Sequence, residues 1–162
     1  MSPHALSLMA EGLACNTRLT DLFFTHNDLQ AGGDSGLAFI RALSNKKDLK
    51  SLALNSCNLN GEYLTELKNA IDSQTELREF YLFANKISAE GAANISGILK
   101  NKFKLTTLGL SNNKLDSQGA IELALHGLAG KHHLVKLSIE NNAIGNRGLE
   151  AIAKALNECR NI

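Results

Sequence analysis

One pattern recurs five times along the chain and sets what it can fold into. It has the form Leu-x-x-Leu-x-Leu-x-x-Asn-x-Leu, with Phe, Ile or Cys replacing a consensus residue in places. The first two copies are Leu19, Leu22, Phe24, Asn27, Leu29 and Leu49, Leu52, Leu54, Cys57, Leu59. The third is Leu77, Phe80, Leu82, Asn85, Ile87 and the fourth Leu105, Leu108, Leu110, Asn113, Leu115. The fifth is Leu134, Leu137, Ile139, Asn142, Ile144. Successive copies begin 30, 28, 28 and 29 residues apart. One match is easily met by chance, but five in register are not. A repeat of this length marks an array of stacked supersecondary units.

Each copy has two periods. Its first half alternates (Leu52, Leu54; Leu108, Leu110), as a short strand with one buried face does. After the Asn position the spacing becomes helical: Leu64, Leu67, Ile71; Ile95, Leu99; Ala120, Leu123; Leu149, Ile152, Leu156. Glycines recur at or just before these helices (Gly36, Gly61, Gly91, Gly119, Gly148), where a turn or a close approach of helix to strand needs a residue without a side chain. Ser2-Pro3 reads as an N-cap with proline at the first helical position, so residues 3 to about 14 form the helical half of an earlier unit. A lone unit buries too few leucines to offset the entropy of ordering its backbone, so stability belongs to the stack. Helices about 10 Å wide beside strands about 4.8 Å apart force curvature, with the strands inside. The expected fold is α/β: a right-handed β-α superhelix, parallel sheet concave and helices convex, forming one domain over residues 1–162.

Composition removes several functions. Formal charge is +1, which gives no electrostatic case for nucleic acid or an anionic membrane surface. No apolar run approaches the roughly 20 residues of a membrane span, and no secretion signal opens the chain. Three cysteines (Cys15, Cys57, Cys159) form no disulfide framework and point to a reducing, cytoplasmic setting. Neither a Ser/His/Asp arrangement, a phosphate-cradling glycine loop nor a paired-carboxylate motif is present, so an enzyme and a cofactor are not expected. His126, His132 and His133 lack the partners of a metal-ligand spacing and read as solvated side chains. Cys15 and Cys159 sit at comparable points of their repeats, which suits packing.

On the five copies quoted above, the chain resembles the leucine-rich repeat family, in its ribonuclease-inhibitor-like subclass with a helix in every unit. The resemblance covers essentially the whole chain. It implies protein binding through the concave face or an edge. The subclass includes the ribonuclease inhibitor, the sensor region of NOD-like receptors and the Ran GTPase-activating protein, with similar arrays in bacterial effectors and ciliary proteins. It also implies that Asn27, Asn85, Asn113 and Asn142 satisfy backbone groups in the turn after each strand, with Cys57 in that place in the second copy. The first copy departs from the pattern by two extra residues around Gly32-Gly33-Asp34. No polar capping unit is recognisable at either end, and Ile162 matches the first leucine of a further copy. Two explanations follow: a piece of a longer protein, or ends covered by a partner or by self-association.

Alternation across a strand turns the non-consensus positions toward the concave face. There the chain offers Asp21, Phe23, Asn55, Glu79, Tyr81, Phe83, Lys136 and Glu140 as a partner-binding set. Phe23 and Tyr81 lie two strands apart, roughly 10 Å, with Ala53 expected to leave a slot between them. Rigid exposed rings are typical interface anchors. Basic residues follow the helices (Arg18; Lys46, Lys47, Lys50; Lys100, Lys102, Lys104; Lys131, His132, His133; Arg160) and acidic ones precede or open them (Asp34, Glu62, Glu90, Asp116, Glu122, Glu150). The stack should thus carry one positive and one negative rim, set mainly by helix-dipole complementarity. The function expected is a non-catalytic interaction module. The alternatives are a regulator of a partner enzyme (GTPase-activating or inhibitor-like) or a fragment of a NOD-like-receptor-type sensor or bacterial effector.

Overall fold

The structure is a computed structural model, and residues 1–158 are described. Helix α1 (Pro3–Cys15) leads into five strands: β1 (Asp21–Phe23), β2 (Ser51–Ala53), β3 (Glu79–Tyr81), β4 (Thr107–Gly109) and β5 (Lys136–Ser138). Helices α2 (Asp34–Arg41), α3 (Gly61–Ala70), α4 (Ala89–Leu99), α5 (Asp116–Glu122) and α6 (Gly145–Glu158) follow them in turn. The strands form one parallel sheet in chain order, with Leu22, Leu52, Phe80, Leu108 and Leu137 in register across it. Those residues point into a continuous apolar interior shared with the helices, from Leu6 in α1 to Ile152 and Ala155 in α6. Layered strands outline the concave side and layered helices the convex side.

The chain turns after each strand at one conserved backbone position. His26, Ser56, Ala84, Asn112 and Asn141 all have φ between +53° and +59°. Left-handed backbone at a residue with a Cβ costs about 1–2 kcal/mol, so something must hold it. The next residue does. Asn113 Oδ1 accepts the N–H groups of Asn85 and Ile87, each at 3.0 Å, one unit back. Its Nδ2 donates to Leu82 O (3.0 Å) in the preceding unit and Leu110 O (2.8 Å) in its own. Asn85 does the same for Cys57 N (2.9 Å), Leu59 N (3.2 Å) and Leu54 O (2.8 Å). Asn142 continues the ladder to Leu115 N and Leu110 O. Cys57 takes the same seat with less capacity: its thiol donates to Phe24 O at 2.8 Å, and burial pushes it up to about 11. Asn27, with no strand before it, donates only to Thr25 O in its own turn.

Side chains cap the helices as the residue types dictate. Ser2 Oγ accepts Ala5 N, Asn60 Oδ1 accepts Tyr63 N and Ser88 Oγ accepts Gly91 N. The two extra residues of the first unit form a 3₁₀ turn, Gln30–Gly32, ahead of α2. Tyr63 pins it from the next unit, its hydroxyl donating to Leu29 O (3.1 Å) and Gly33 O (2.8 Å). Gly119 lies where a Cβ would meet Ala89 Cα at 3.0 Å, a close approach of helix to helix, whereas Gly61 has open space around it.

Two sequence expectations are corrected. Leu149 and Leu156 are exposed, and the buried face of α6 is Gly148, Ile152 and Ala155, the stripe that meets α5. After α5 the backbone widens into a π-helical turn, Leu123–Leu128, which carries His126. Cys15 is exposed and not a packing residue, because the last turn of α1 turns it away from the interior. Cys159, Arg160 and Ile162 lie outside the described residues. The two ends also differ. At the first, α1 buries Leu6, Ala10 and Leu13 and covers the interior. At β5, Leu134, Leu137, Ile139 and Ile144 are only half-buried.

Because Asn113 satisfies two buried N–H groups that have no other acceptor in the turn, removing its amide strands them. Asn113→Ala should destabilise the fold by about 3 kcal/mol in urea titration, whereas Asn27→Ala, which spans no unit boundary, should cost under about 1 kcal/mol.

Candidate functional site

The concave surface is three rows of side chains set by the strand register. Asp21, Ser51, Glu79, Thr107 and Lys136 form the first row, and Phe23, Ala53, Tyr81, Gly109 and Ser138 the second. Thr25, Asn55, Phe83, Ser111 and Glu140 continue the strands into a third. Of the eight residues singled out from sequence, Glu79, Tyr81 and Phe83 come together on β3 and its extension. Asp21 and Phe23 stand on β1, and Lys136 and Glu140 at β5.

Tyr81 and Phe83 make an aromatic plate, ring centroids 5.8 Å apart and planes tilted by 37°. Gly109 on the neighbouring strand permits it. A Cβ there would collide with Phe83 Cζ and come within 2.7 Å of Phe83 Cε1 and 2.9 Å of Tyr81 Cδ1. Both rings therefore lean onto bare backbone of β4. Asn55 fixes the plate from the other side, its Oδ1 accepting Phe83 N at 2.8 Å. The Tyr81 hydroxyl donates to Glu79 Oε2 at 3.3 Å, and partial burial, followed by the Glu79 charge, raises its pKa. Phe23 is 64% exposed with no comparable support. The slot expected beside it is closed, since Ala53 is only 2% exposed: the rows pack tightly enough to cover a methyl group.

The carboxylates are held in place by hydroxyls. Thr20 Oγ1 donates to Asp21 Oδ2 at 2.5 Å, and this bond, aided by Ser51, holds Asp21 below the usual carboxylate range. Ser111 Oγ donates to Glu140 Oε2, and that bond lowers Glu140 in the same way. Ser51 Oγ reaches Glu79 Oε2 at 3.5 Å. Among the described residues no group of three or more His, Cys, Asp or Glu gathers as a metal site would, and His126 faces only Glu122, at 3.8 Å. No described helix is long and apolar enough to cross a membrane.

The positive rim needs correction, because three of its lysines are inside. Lys46, Lys102 and Lys131 are buried, as is Gln74 at the same place in the repeat. Each stands three residues before the first leucine of its copy, as Asn16 does before Leu19. The side chains of Lys46, Gln74 and Lys102 run back to the preceding helix end, where carbonyls lack intrahelical partners. Lys46 Nζ donates to Leu13 O (2.6 Å) and Ala42 O (2.9 Å), and Gln74 Nε2 to Leu43 O (2.8 Å). Lys102 Nζ donates to Asp72 O (3.0 Å), and Lys131 Nζ lies 4.8 Å from the centroid of the Phe103 ring. The signal that would have revealed this second ladder is its spacing, a long donor at one fixed offset, and not its charge. Arg18, Lys47, Lys50, Lys100, Lys104, His132 and His133 remain exposed. On the acidic side, Asp34, Glu62, Glu90 and Asp116 do open their helices. Glu122 instead ends α5, and Glu150 lies in the second turn of α6.

With this geometry in view, the likeness to known proteins falls into place. A family described as "Leucine Rich repeat" matches residues 101–124 and 130–153. Human NACHT, LRR and PYD domains-containing protein 13 is 28% identical over 94% of this chain, which spans 15% of that protein. Pig ribonuclease inhibitor is 26% identical over 90% of the chain, which spans 32% of it. The tropomodulin C-terminal domain of Caenorhabditis elegans superposes with a TM-score of 0.73 at 15% identity, covering 95% of this chain and 92% of that one. That last likeness concerns fold alone. On these matches the chain is similar to leucine-rich repeat proteins of the ribonuclease-inhibitor-like form. It spans about a third or less of the length of the curated relatives named here.

Burial lowers Lys102 to about 8, against roughly 10.4 in an unfolded chain. Between those values the unfolded chain holds a proton that the folded one has released, so stability rises as pH climbs from about 8 toward 10.4. Lys46 is shifted in the same direction by the same cause. After allowance for solvent screening, the Lys102 contribution is on the order of 1 kcal/mol. Urea midpoints at pH 7.5 and 9.5 should show that gain in the native sequence and much less of it in Lys102→Gln, whose amide copies Gln74.

Proposed function

We propose that the chain is a non-catalytic binding module that engages a protein partner through the concave face of its sheet. The observation that carries this reading is the Tyr81–Phe83 plate, laid on Gly109 and locked by Asn55, with Phe23 exposed two strands away. Pre-organised rings lose little entropy on binding, which is why aromatic side chains dominate interface energetics. Asp21, Glu79, Lys136 and Glu140 supply the polar frame, and Asn55 supports the plate. The protein-binding character of the family favours the same face. A reducing, intracellular setting belongs to this reading, on the sparse and odd cysteine set. Like the relative named for inhibiting ribonuclease, the module would act on an enzyme by covering it rather than by chemistry of its own.

A second reading has its own observation: Leu134, Leu137, Ile139 and Ile144 are half-buried at the β5 edge of the sheet, where a second copy would bury them. Sedimentation velocity over a hundredfold range of concentration distinguishes the two. A size that grows with concentration supports self-association, and a constant monomer removes it.

For the first reading, the native chain and Tyr81→Ala serve as paired baits, with Leu125→Ala on the convex side as the control. A partner retained by the native chain and by the control should bind Tyr81→Ala about 2 kcal/mol more weakly, roughly 30-fold, by calorimetry. Equal affinity for the folded variant ends the concave-face reading.

A further inference from the structure

Carboxylates outnumber cations around the concave plate. Across the three rows the ionised groups are Asp21, Glu79 and Glu140 against Lys136 alone. Asp21 and Glu140 are kept ionised by hydroxyls that donate to them. Glu79 lies beside the plate itself, its Oε2 accepting from Tyr81 Oη and Ser51 Oγ at 3.3 and 3.5 Å. Both contacts are long, and a carboxylate has about four lone-pair sites, so capacity remains for a strong donor. Ring faces are negative at their centres and attract cations. Plate and carboxylate thus favour the same kind of group.

Resting on the concave-face reading above, we propose that the Tyr81–Phe83 plate receives an arginine side chain of the protein partner, its guanidinium stacked on the rings and forked onto Glu79. A guanidinium is preferred to an ammonium because it is planar, more weakly hydrated, and carries a donor fork matching a carboxylate. Gly109 makes room by letting both rings lean against β4 with their planes 37° apart, so that one ring takes the flat of the guanidinium and the other borders it. A nucleic-acid base would also stack on such rings, but its phosphates would meet Glu79 and Glu140 where a nucleic-acid groove carries lysine and arginine. An acidic segment is disfavoured by the same charges.

The test titrates the intact chain with a blocked Gly-Arg-Gly-Arg-Gly peptide and with its citrulline counterpart, which keeps the planar shape and lacks the charge. The readout is the ring proton resonances of Tyr81 and Phe83. The arginyl peptide should shift both saturably and bind about tenfold tighter than the citrulline peptide. Lysine in place of arginine should weaken it several-fold. Glu79→Gln should lower affinity about tenfold, and Gly109→Ala, which lifts the rings without touching a charge, should lower it comparably. Leu125→Ala, on the convex side, should leave it unchanged. No shift up to about 5 mM peptide, equal binding of the citrulline peptide, or indifference to Glu79→Gln overturns the proposal. If a partner's affinity falls in Tyr81→Ala while the arginyl peptide fails to bind, the concave face stands as the interface and only the arginine is withdrawn.

Discussion

The array depends on amide groups that cross from one unit to the next. The turns after β2, β3 and β4 leave inward N–H groups that their own residues do not accept, and Asn85, Asn113 and Asn142 supply the missing acceptor from the following unit. The same side chain donates back to a carbonyl of the preceding strand. A buried donor without a partner costs more than a formed hydrogen bond contributes, so the ladder makes each unit's turn conditional on its neighbour. Such nearest-neighbour dependence underlies the cooperativity of solenoids. Cys57 marks the weak rung, able to donate to Phe24 O but unable to accept two N–H groups as an amide oxygen does.

A second ladder runs behind the helix ends and works against a cost that the first avoids. Lys46 and Lys102 bring ammonium groups into the interior, where desolvation disfavours the charge. Carbonyls that end the preceding helices offset this, since they lack intrahelical partners and carry the negative pole of the helix dipole. Gln74 performs the task without charge. The residue type is thus negotiable at this position, and the long reach to the neighbouring helix end is not.

The concave surface is a by-product of how these ladders consume the chain. Backbone groups pair along the sheet and leucines point inward, leaving every second side chain of each strand facing the concave side. What happens there depends on small residues as much as large ones. Gly109 contributes nothing to contact and decides where two rings lie. Ala53 looked from the sequence like the floor of a slot, yet neighbouring side chains close over it.

The repeat by itself determined the strand positions, the parallel order, the inward and outward parity and the seats of the asparagines, because each follows from spacing along one unit. Phe23 as an exposed ring was legible for the same reason. Tertiary structure alone decided features that arise between units: that Lys46, Lys102 and Lys131 are buried and not part of a charged rim, that Cys15 is exposed, that Leu149 lies outside the α6 interface, and that Tyr81 and Phe83 form one plate over Gly109. A sequence records the residue type at each offset but not the distance from a long side chain to the neighbouring unit, and that distance settles whether a lysine meets water or a helix end.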